Sequence, residues 1–557
     1  SRTKGRSDAE QRSGKGTVPA ASRDVSKVNG NNQVVVTQYE MHAIEDLGLL
    51  KMDFLGLRNL TIIENALSLV RRLHGEAIDI EKIPLDDQKT FELFQRGETT
   101  GLFQFESAGM KRHLKELKPT ELEDLIAMVS LYRPGPMELI PSYIQRKHDR
   151  EKIEYLHPRL EPILKNTYGI GVYQEQMMQI ARDLAGFTLP EADTLRKAIG
   201  KKIKWLLTEQ REKLIAGMLR NGIGARTAGE IWELFPPFAR YGFNRSHAAC
   251  YALIAYQTGF LKAHFPTEFM CSLLAAEGSD VEKVAFFVEE ARTMGIEVLP
   301  PDINESFENF AVVGPGKIRF GLGAVKNVGA NIVQAVIAQR QVQEKYTTLT
   351  EFIERIQHKD FNKKSLESLI KCGALDSLGE RNQLLTNMDL LLEYNRESQR
   401  AMRGGQVGLF SGLPEIHSAS LRLREAEPAS KRERLGWEKE LLGLYVTEHP
   451  IQEYLARLRQ NHVLPLKNLT LDLRNQTVTI GGLVTAIQKI TTRAGEPMLF
   501  VKMEDTTSQT EVLVFPKVLA RNPTVWQPEK VLMVRGRVSD KDGVTKILCE
   551  EAFELPE

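Results

Sequence analysis

Lys51 and Asp53 stand two residues apart in Leu49-Leu50-Lys51-Met52-Asp53-Phe54-Leu55-Gly56-Leu57. On a strand, period two puts both side chains on one face. A carboxylate at a strand end can hold Mg²⁺ while the neighbouring ammonium meets a phosphate. The spacing alone fits a plain surface ion pair better. A second group is Arg196-Lys197-Ala198-Ile199-Gly200-Lys201-Lys202-Ile203-Lys204. From Thr194 to Lys213 there are seven basic and two acidic residues, an imbalance that favours phosphate binding over a solvated helix face. Gly200 breaks the helix there and lets the backbone approach a polyanion.

Phe243-Asn244-Arg245-Ser246-His247 runs into the apolar stretch Ala248–Tyr256. Ser246 reads as the N-cap, which places Arg245 and His247 at the positive end of a helix. A lone histidine in that place is more often structural than catalytic. Two Gly-centred turns, at Ala324–Gly329 and Ile370–Leu375, fit the helix-hairpin-helix pattern, in which turn amides hold a DNA phosphate without reading sequence. Gln406-Val407-Gly408-Leu409-Phe410 puts a Leu-Phe pair in a polar, Gly-rich segment. Such a pair is costly in water unless a partner protein or the next domain buries it, and both readings remain open.

The elements that position these groups follow from periodicity. The β-branched run Gln33–Tyr39 predicts a strand, and Gly48–Phe54 predicts a second. Leu60, Ile63, Leu67, Val70 and Leu73 recur at helical steps. Helical patterns continue to about residue 290, broken by turns such as Arg133-Pro134-Gly135-Pro136. Residues 386 to about 436 read as loop-rich. Beyond residue 475 the pattern switches to period two. Leu499, Val501 and Met503 alternate with Lys502 and Glu504, followed by Glu511–Phe515 and Val531–Arg535. Several short strands with Gly turns predict a small closed barrel.

A chain of 557 residues holds several domains. Lys+Arg (74) and Asp+Glu (73) nearly cancel, so bulk charge does not announce a polyanion, though local basic stripes remain. The four cysteines form no CxxC pair, which suggests neither a zinc site nor a disulfide framework and fits a reducing cytoplasm. No apolar run reaches the roughly 18 residues of a membrane span. Residues 1–32, with seven basic and three acidic residues and few large apolar ones, read as a mobile basic segment.

Taken together, these stretches resemble the bacterial DNA polymerase III α subunit, a C-family replicative polymerase. The resemblance is carried by LGLLKMDFLGLRNLTII (47–63), TTGLFQFESAGMK (99–111), MVSLYRPGPM (128–137), the run from Thr167 to Lys202, YGFNRSHAACYALIAY (241–256), FGLGAVKNVG (320–329) and LLGLYVTEHP (441–450). It implies a multidomain α+β chain. The C-terminal part of a polymerase-β-like palm lies at 33–60, mainly helical fingers at 61–317 and a tandem helix-hairpin-helix region at 318–385. A clamp-binding segment and connector follow at 386–475, and an OB-fold barrel at 476–557.

The resemblance also assigns roles. Asp53 matches a metal-binding catalytic aspartate, and Lys51 the lysine facing the nucleotide's phosphates. Arg196, Lys197, Lys201 and Lys202 match a triphosphate-binding stretch, with Lys197 where relatives often have Arg. Tyr173, Gln174, Glu175 and Gln176 match a segment lining the nascent base pair, and Arg245 and His247 join the nucleotide contacts. Gly329, Gly373, Lys326 and Lys371 would contact DNA, and Gln406, Leu409 and Phe410 the sliding clamp. The implied cofactor is Mg²⁺ in a two-metal site. The implied partners are primer–template DNA, dNTPs, the β clamp and other replicase subunits, with no membrane. The family's two other catalytic aspartates, its thumb and its phosphoesterase-like domain have no counterpart here. The chain therefore reads as a C-terminal half, expected to be inactive alone. A non-enzymatic DNA- and clamp-binding protein and an error-prone lesion-bypass polymerase are the alternatives.

Overall fold

A computed structural model describes residues 37–52, 56–200, 204–236, 242–278, 280–403, 421–492, 494–506, 508–539 and 545–555. The chain divides into two compact units, Ser1–Leu57 and Arg58–Glu557.

In the first unit the described residues hold a short helix, α1 (Met41–Asp46), whose N-cap carboxylate on Glu40 accepts from the His42 amide at 3.0 Å. Of the two expected strands, residues 33–36 and 53–54 lie outside the described residues, and the described remainder forms no strand. Residues 37–40 and 48–52 are not in strand conformation, and Leu49, Leu50 and Met52 are exposed. A β-branched or apolar run becomes a strand only where a neighbour takes up its amides, and no described strand pairs with this segment.

The second unit begins with α2 (Arg58–His74), whose buried stripe is Ile62, Ile63, Ala66 and Val70. Leu60 and Leu73, expected on that stripe, are half-exposed. The helices α3 (Gln88–Arg96), α4 (Ala108–Leu117) and α5 (Leu122–Leu131) follow.

Next come four helices with a core of their own: α6 (Gln174–Ala185), α7 (Leu189–Gly200), α8 (Lys204–Arg220) and α9 (Ala225–Trp232). Met177, Ile180, Leu195, Leu214, Ile231 and Phe235 fill that core. The long α10 (Arg245–His264) runs through the main core and is followed by α11 (Pro266–Glu277) and α12 (Val281–Thr293). At Gly259 a Cβ would come within 2.7 Å of the Phe94 ring, so a bare backbone is what lets α3 and α10 approach. One turn on, Lys262 is buried. Its ammonium donates to the Glu98 and Thr100 carbonyls at 2.9 Å and to Glu290 at 2.7 Å, and burial draws its pKa down.

A three-stranded sheet, β1 (Glu297–Leu299), β2 (Ala311–Gly314) and β3 (Lys317–Arg319), has the order β1-β3-β2. It leads into α13 (Ala330–Gln343) and α14 (Lys363–Lys371). All of these share the main core, which runs from Ile62 to Val446. The segment after residue 386 is more regular than its sequence suggests, because α15 (Met388–Arg403) occupies its first part. Met388, Leu391 and Leu392 supply a buried stripe that the many flanking charges disguise.

The helix α16 (Lys431–Leu442) then leads to the expected barrel, closed in the order β4-β5-β6-β8-β7. Its strands are β4 (Thr477–Thr491), β5 (Pro497–Glu504), β6 (Gln509–Val514), β7 (Val531–Ser539) and β8 (Lys546–Glu554), with α17 (Pro516–Arg521) between β6 and β7. Val501, Met503, Val512, Val534 and Ile547 point inward, as period two requires. A small core of Leu435, Tyr445, Ile451, Leu458, Leu483 and Val531 joins α16 to the barrel.

Candidate nucleotide and nucleic-acid contact sites

Two helices start side by side. Phe243 donates its amide to the Val172 carbonyl at 3.0 Å, and Gln174 donates to the Phe243 carbonyl at 2.9 Å. This makes a one-residue parallel bridge between Tyr173 and Phe243. The bridge sets the first turns of α6 and α10 next to each other. The Glu175 carboxylate spans them, accepting from Asn244 Nδ2 and from the Arg245 amide, both at 3.0 Å. The N-cap of α10 is Asn244, whose Oδ1 accepts from the His247 amide at 2.7 Å, rather than the expected Ser246. Both residue types are good caps. The peptide that precedes the helix is already pinned by the bridge, which brings Asn244 into position.

Above this junction lie three basic side chains. Arg245 makes an ion pair with Glu123 of α5, and its guanidinium lies 5.8 Å from the Tyr173 ring centre. Arg133 covers the Phe243 ring at 4.4 Å and donates to the Ser130 carbonyl at 2.8 Å, with burial drawing its pKa down. His247 is exposed and lies against Tyr251, with ring centres 4.3 Å apart. The positive ends of two helix dipoles and the two arginines favour an anion, and the Phe243 and Tyr251 rings offer flat apolar surface.

Tyr173 itself is buried, its phenol has no partner among the described residues, and burial pushes its pKa up. Gln176 is also buried and fully engaged. It accepts from the Val172 and Tyr173 amides at 2.9 Å and donates to Thr167 Oγ1 at 2.8 Å. Gln174 donates to the Gly242 carbonyl at 3.3 Å. Of the four expected residues in this stretch, then, Tyr173 and Gln176 lie inside the turn, while Gln174 and Glu175 are partly exposed.

Arg196 and Lys197 sit in the last turn of α7, and both pair with Asp193, at 2.8 Å each. Hydrogen bonds from Lys197 and then Arg196 hold the Asp193 carboxyl below its usual range. Among the described residues no side-chain hydrogen bond or ion pair joins this pair to the junction of α6 and α10.

The two Gly-centred turns differ. In the first, Lys326, Asn327 and Gly329 are exposed, and Asn327 takes φ +66°. Gly329 is the N-cap of α13 with no side-chain cap, and a Cβ there would meet nothing within 4 Å. The amides at this helix start therefore face open surface. In the second, Gly373 (φ +84°) is buried and closes α14. Its amide donates to the Ile370 carbonyl, and that of Ala374 to the Leu369 carbonyl, both at 3.0 Å. With its N–H spent on the cap, Gly373 does not present a donor to a phosphate, contrary to the expectation from sequence. Lys371 pairs with Glu367 at 2.6 Å and lies 5.9 Å from the Trp437 ring centre.

Asp53, Lys201, Lys202, Gln406, Leu409 and Phe410 lie outside the described residues, as do residues 1–32. Lys51 is exposed. Among the described residues no group of three or more histidine, cysteine, aspartate or glutamate side chains could hold a metal ion. Residues missed by sequence reasoning are Glu123, Arg133 and Asn244. Arg133 was visible only as part of a turn, and Asn244 is an Asx cap that lost out to the nearby serine.

Three family models match the chain. The finger domain of the bacterial DNA polymerase III alpha subunit covers residues 59–222, a helix-hairpin-helix motif covers 295–384, and an OB-fold nucleic acid binding domain covers 478–555. DNA polymerase III subunit alpha of Thermus aquaticus is 43% identical over 530 residues. That alignment takes in 94% of this chain. The protein of the same name from Bacillus subtilis is 41% identical over 524 residues, again 94% of the chain. Along nearly all of its length the chain is similar to bacterial DNA polymerase III α subunits. It spans less than half the length of these relatives, 43% and 46% respectively. The finger match contains Tyr173–Gln176, Arg196 and Lys197, while Arg245 and His247 lie beyond its end. Both Gly turns fall within the helix-hairpin-helix match. The closed barrel is the matched OB-fold.

Proposed function

We propose that this chain is the fingers, DNA-holding and clamp-docking portion of a replicative DNA polymerase. It would act with a palm that supplies further catalytic carboxylates. The observation that carries this reading is the order of finger, helix-hairpin-helix and OB-fold matches along a chain 40% or more identical to α subunits. The domain limits follow the resemblance: palm residues at 33–60, fingers at 61–317, helix-hairpin-helix at 318–385, clamp segment and connector at 386–475, and barrel at 476–557.

In this reading the junction of α6 and α10 receives the incoming dNTP. Arg245 and His247 meet its phosphates, and Tyr173 with Gln174 and Glu175 shapes the floor. By the resemblance, Arg196 and Lys197, with Lys201 and Lys202 further along the sequence, would meet the triphosphate. Such a site works by positioning and charge compensation, which is most of what phosphoryl transfer asks of a protein. Lys51 and Asp53 belong to the palm edge, where Asp53 would help hold Mg²⁺ and Lys51 would face phosphate. Bound Mg²⁺ would supply activation of the primer 3′-hydroxyl and stabilisation of pyrophosphate. The barrel would hold single-stranded template by groove charge and stacking. Gln406, Leu409 and Phe410 would dock on a β sliding clamp beside other replicase subunits in the cytoplasm. No described helix is long and apolar enough to cross a membrane.

Single-nucleotide incorporation by the complete polymerase tests this. Arg245→Ala should raise the KM for dNTP about tenfold, the loss of one charge-assisted phosphate contact, while leaving primer–template affinity unchanged. An unchanged KM would remove Arg245 from the nucleotide site and the junction with it.

A further inference from the structure

On the barrel, away from any residue given a role above, a cavity of about 180 Å³ opens between α17 and the second half of β8. Trp526 lines it, is only 6% exposed, and its indole N–H has no acceptor among the described residues. A buried donor left unpaired costs about 1–3 kcal/mol, so it points to an acceptor supplied from outside. A second, independent feature adjoins it. The register between β7 and β8 shifts between Arg535 and Gly536, so Glu550 has no opposite residue. This bulge breaks the in–out alternation of β8, and Glu550 and Glu551 are consecutive exposed residues on the cavity wall. Neither has an ion-pair partner among the described residues. Arg521 is the one cation in the lining, which leaves the rim one negative charge in excess. Phe553, 49% exposed, adds an aromatic face.

We infer that this cavity is a seat for a short peptide segment of a partner protein carrying an arginine or lysine. The peptide brings what the site lacks. A main-chain carbonyl accepts from Trp526, and a cationic side chain lies against Phe553 and meets Glu550 and Glu551. A free metal or small cation leaves the indole N–H unpaired. A nucleic-acid strand brings phosphates up to two carboxylates, which disfavours it. The site is separate from the nucleotide and helix-hairpin-helix contacts, so it stands or falls independently of the function proposed above.

The test uses the intact chain labelled with 5-fluorotryptophan. Its four tryptophans give separate fluorine resonances, with that of Trp526 assigned through Trp526→Phe. The probe is acetyl-Ala-Leu-Arg-Leu-Ala-amide, with the Glu-for-Arg peptide and a short oligothymidylate as controls. The arginine peptide should shift the Trp526 resonance saturably and leave those of Trp205, Trp232 and Trp437 in place. The double variant Glu550→Gln with Glu551→Gln, both surface positions, should weaken that binding about fivefold, the size of a half-exposed ion pair. A Trp526 resonance that the arginine peptide does not move would overturn the proposal, as would an equal response to the glutamate peptide. A response to the oligonucleotide in place of the peptide would make this a nucleic-acid site and overturn it as well.

Discussion

The turns at Gly329 and Gly373 look alike as sequence and do opposite work in the fold. Each puts a glycine between apolar positions beside a lysine. At Gly329 the backbone is ordinary (φ −74°), the surroundings are open, and the next amides begin α13 without a side-chain cap. At Gly373 the backbone is left-handed, and a Cβ would come within 2.3 Å of the Arg381 guanidinium. That guanidinium is held in turn by both oxygens of Asp376, at 2.7 and 2.8 Å. A turn can hold a phosphate only with amides the fold has not already used. Burial and φ, which motif spacing does not encode, decide which turn has them.

The largest effect should come from Gly373→Ala. It imposes a strained φ and pushes on a buried arginine, so it should cost about 2–4 kcal/mol of stability, read as a lower melting temperature. A neutral outcome would show that Arg381 moves freely and that the second turn is not locked. Gly329→Glu should leave the melting temperature unchanged. It puts a carboxylate at an open helix start, and affinity for duplex DNA should fall about tenfold at low salt. Equal affinity would mean that DNA does not touch the first turn. The smallest effect is expected from Lys326→Ala, which removes one exposed cation. Binding should weaken about equally across sequences, and the slope of log K against log salt should fall by about one. Lys371→Ala should change that slope less, because Lys371 is already engaged with Glu367 and Trp437.

Much of the architecture was legible in the sequence. The barrel came from the alternation of Leu499, Val501 and Met503, and it closes as expected because period two has one meaning on a sheet. Helix α2 was legible as a helix. Its buried face was rotated, since Ile62 and Ala66 pack where Leu60 and Leu73 do not. The described parts of the two strands expected before residue 55 are not strands, because β propensity is realised only by a partner strand. In the candidate site, Arg245 and His247 were visible as basic residues near a helix start. The ion pair of Arg245 with Glu123 spans 122 residues, and the Tyr173–Phe243 bridge joins segments seventy apart in sequence. Contacts at that separation leave no local pattern to read. Long motifs of a known family supplied what periodicity could not.

The central claim is that this chain handles primer–template DNA through its open turn and barrel. The most direct measurement is fluorescence anisotropy of a labelled primer–template titrated with the intact chain over a range of salt. The account predicts binding whose log K falls linearly with log salt. The line should be shallower by about one in Lys326→Ala and weaker throughout in Gly329→Glu. Absence of binding at low salt, or binding that neither salt nor these variants alter, would contradict it.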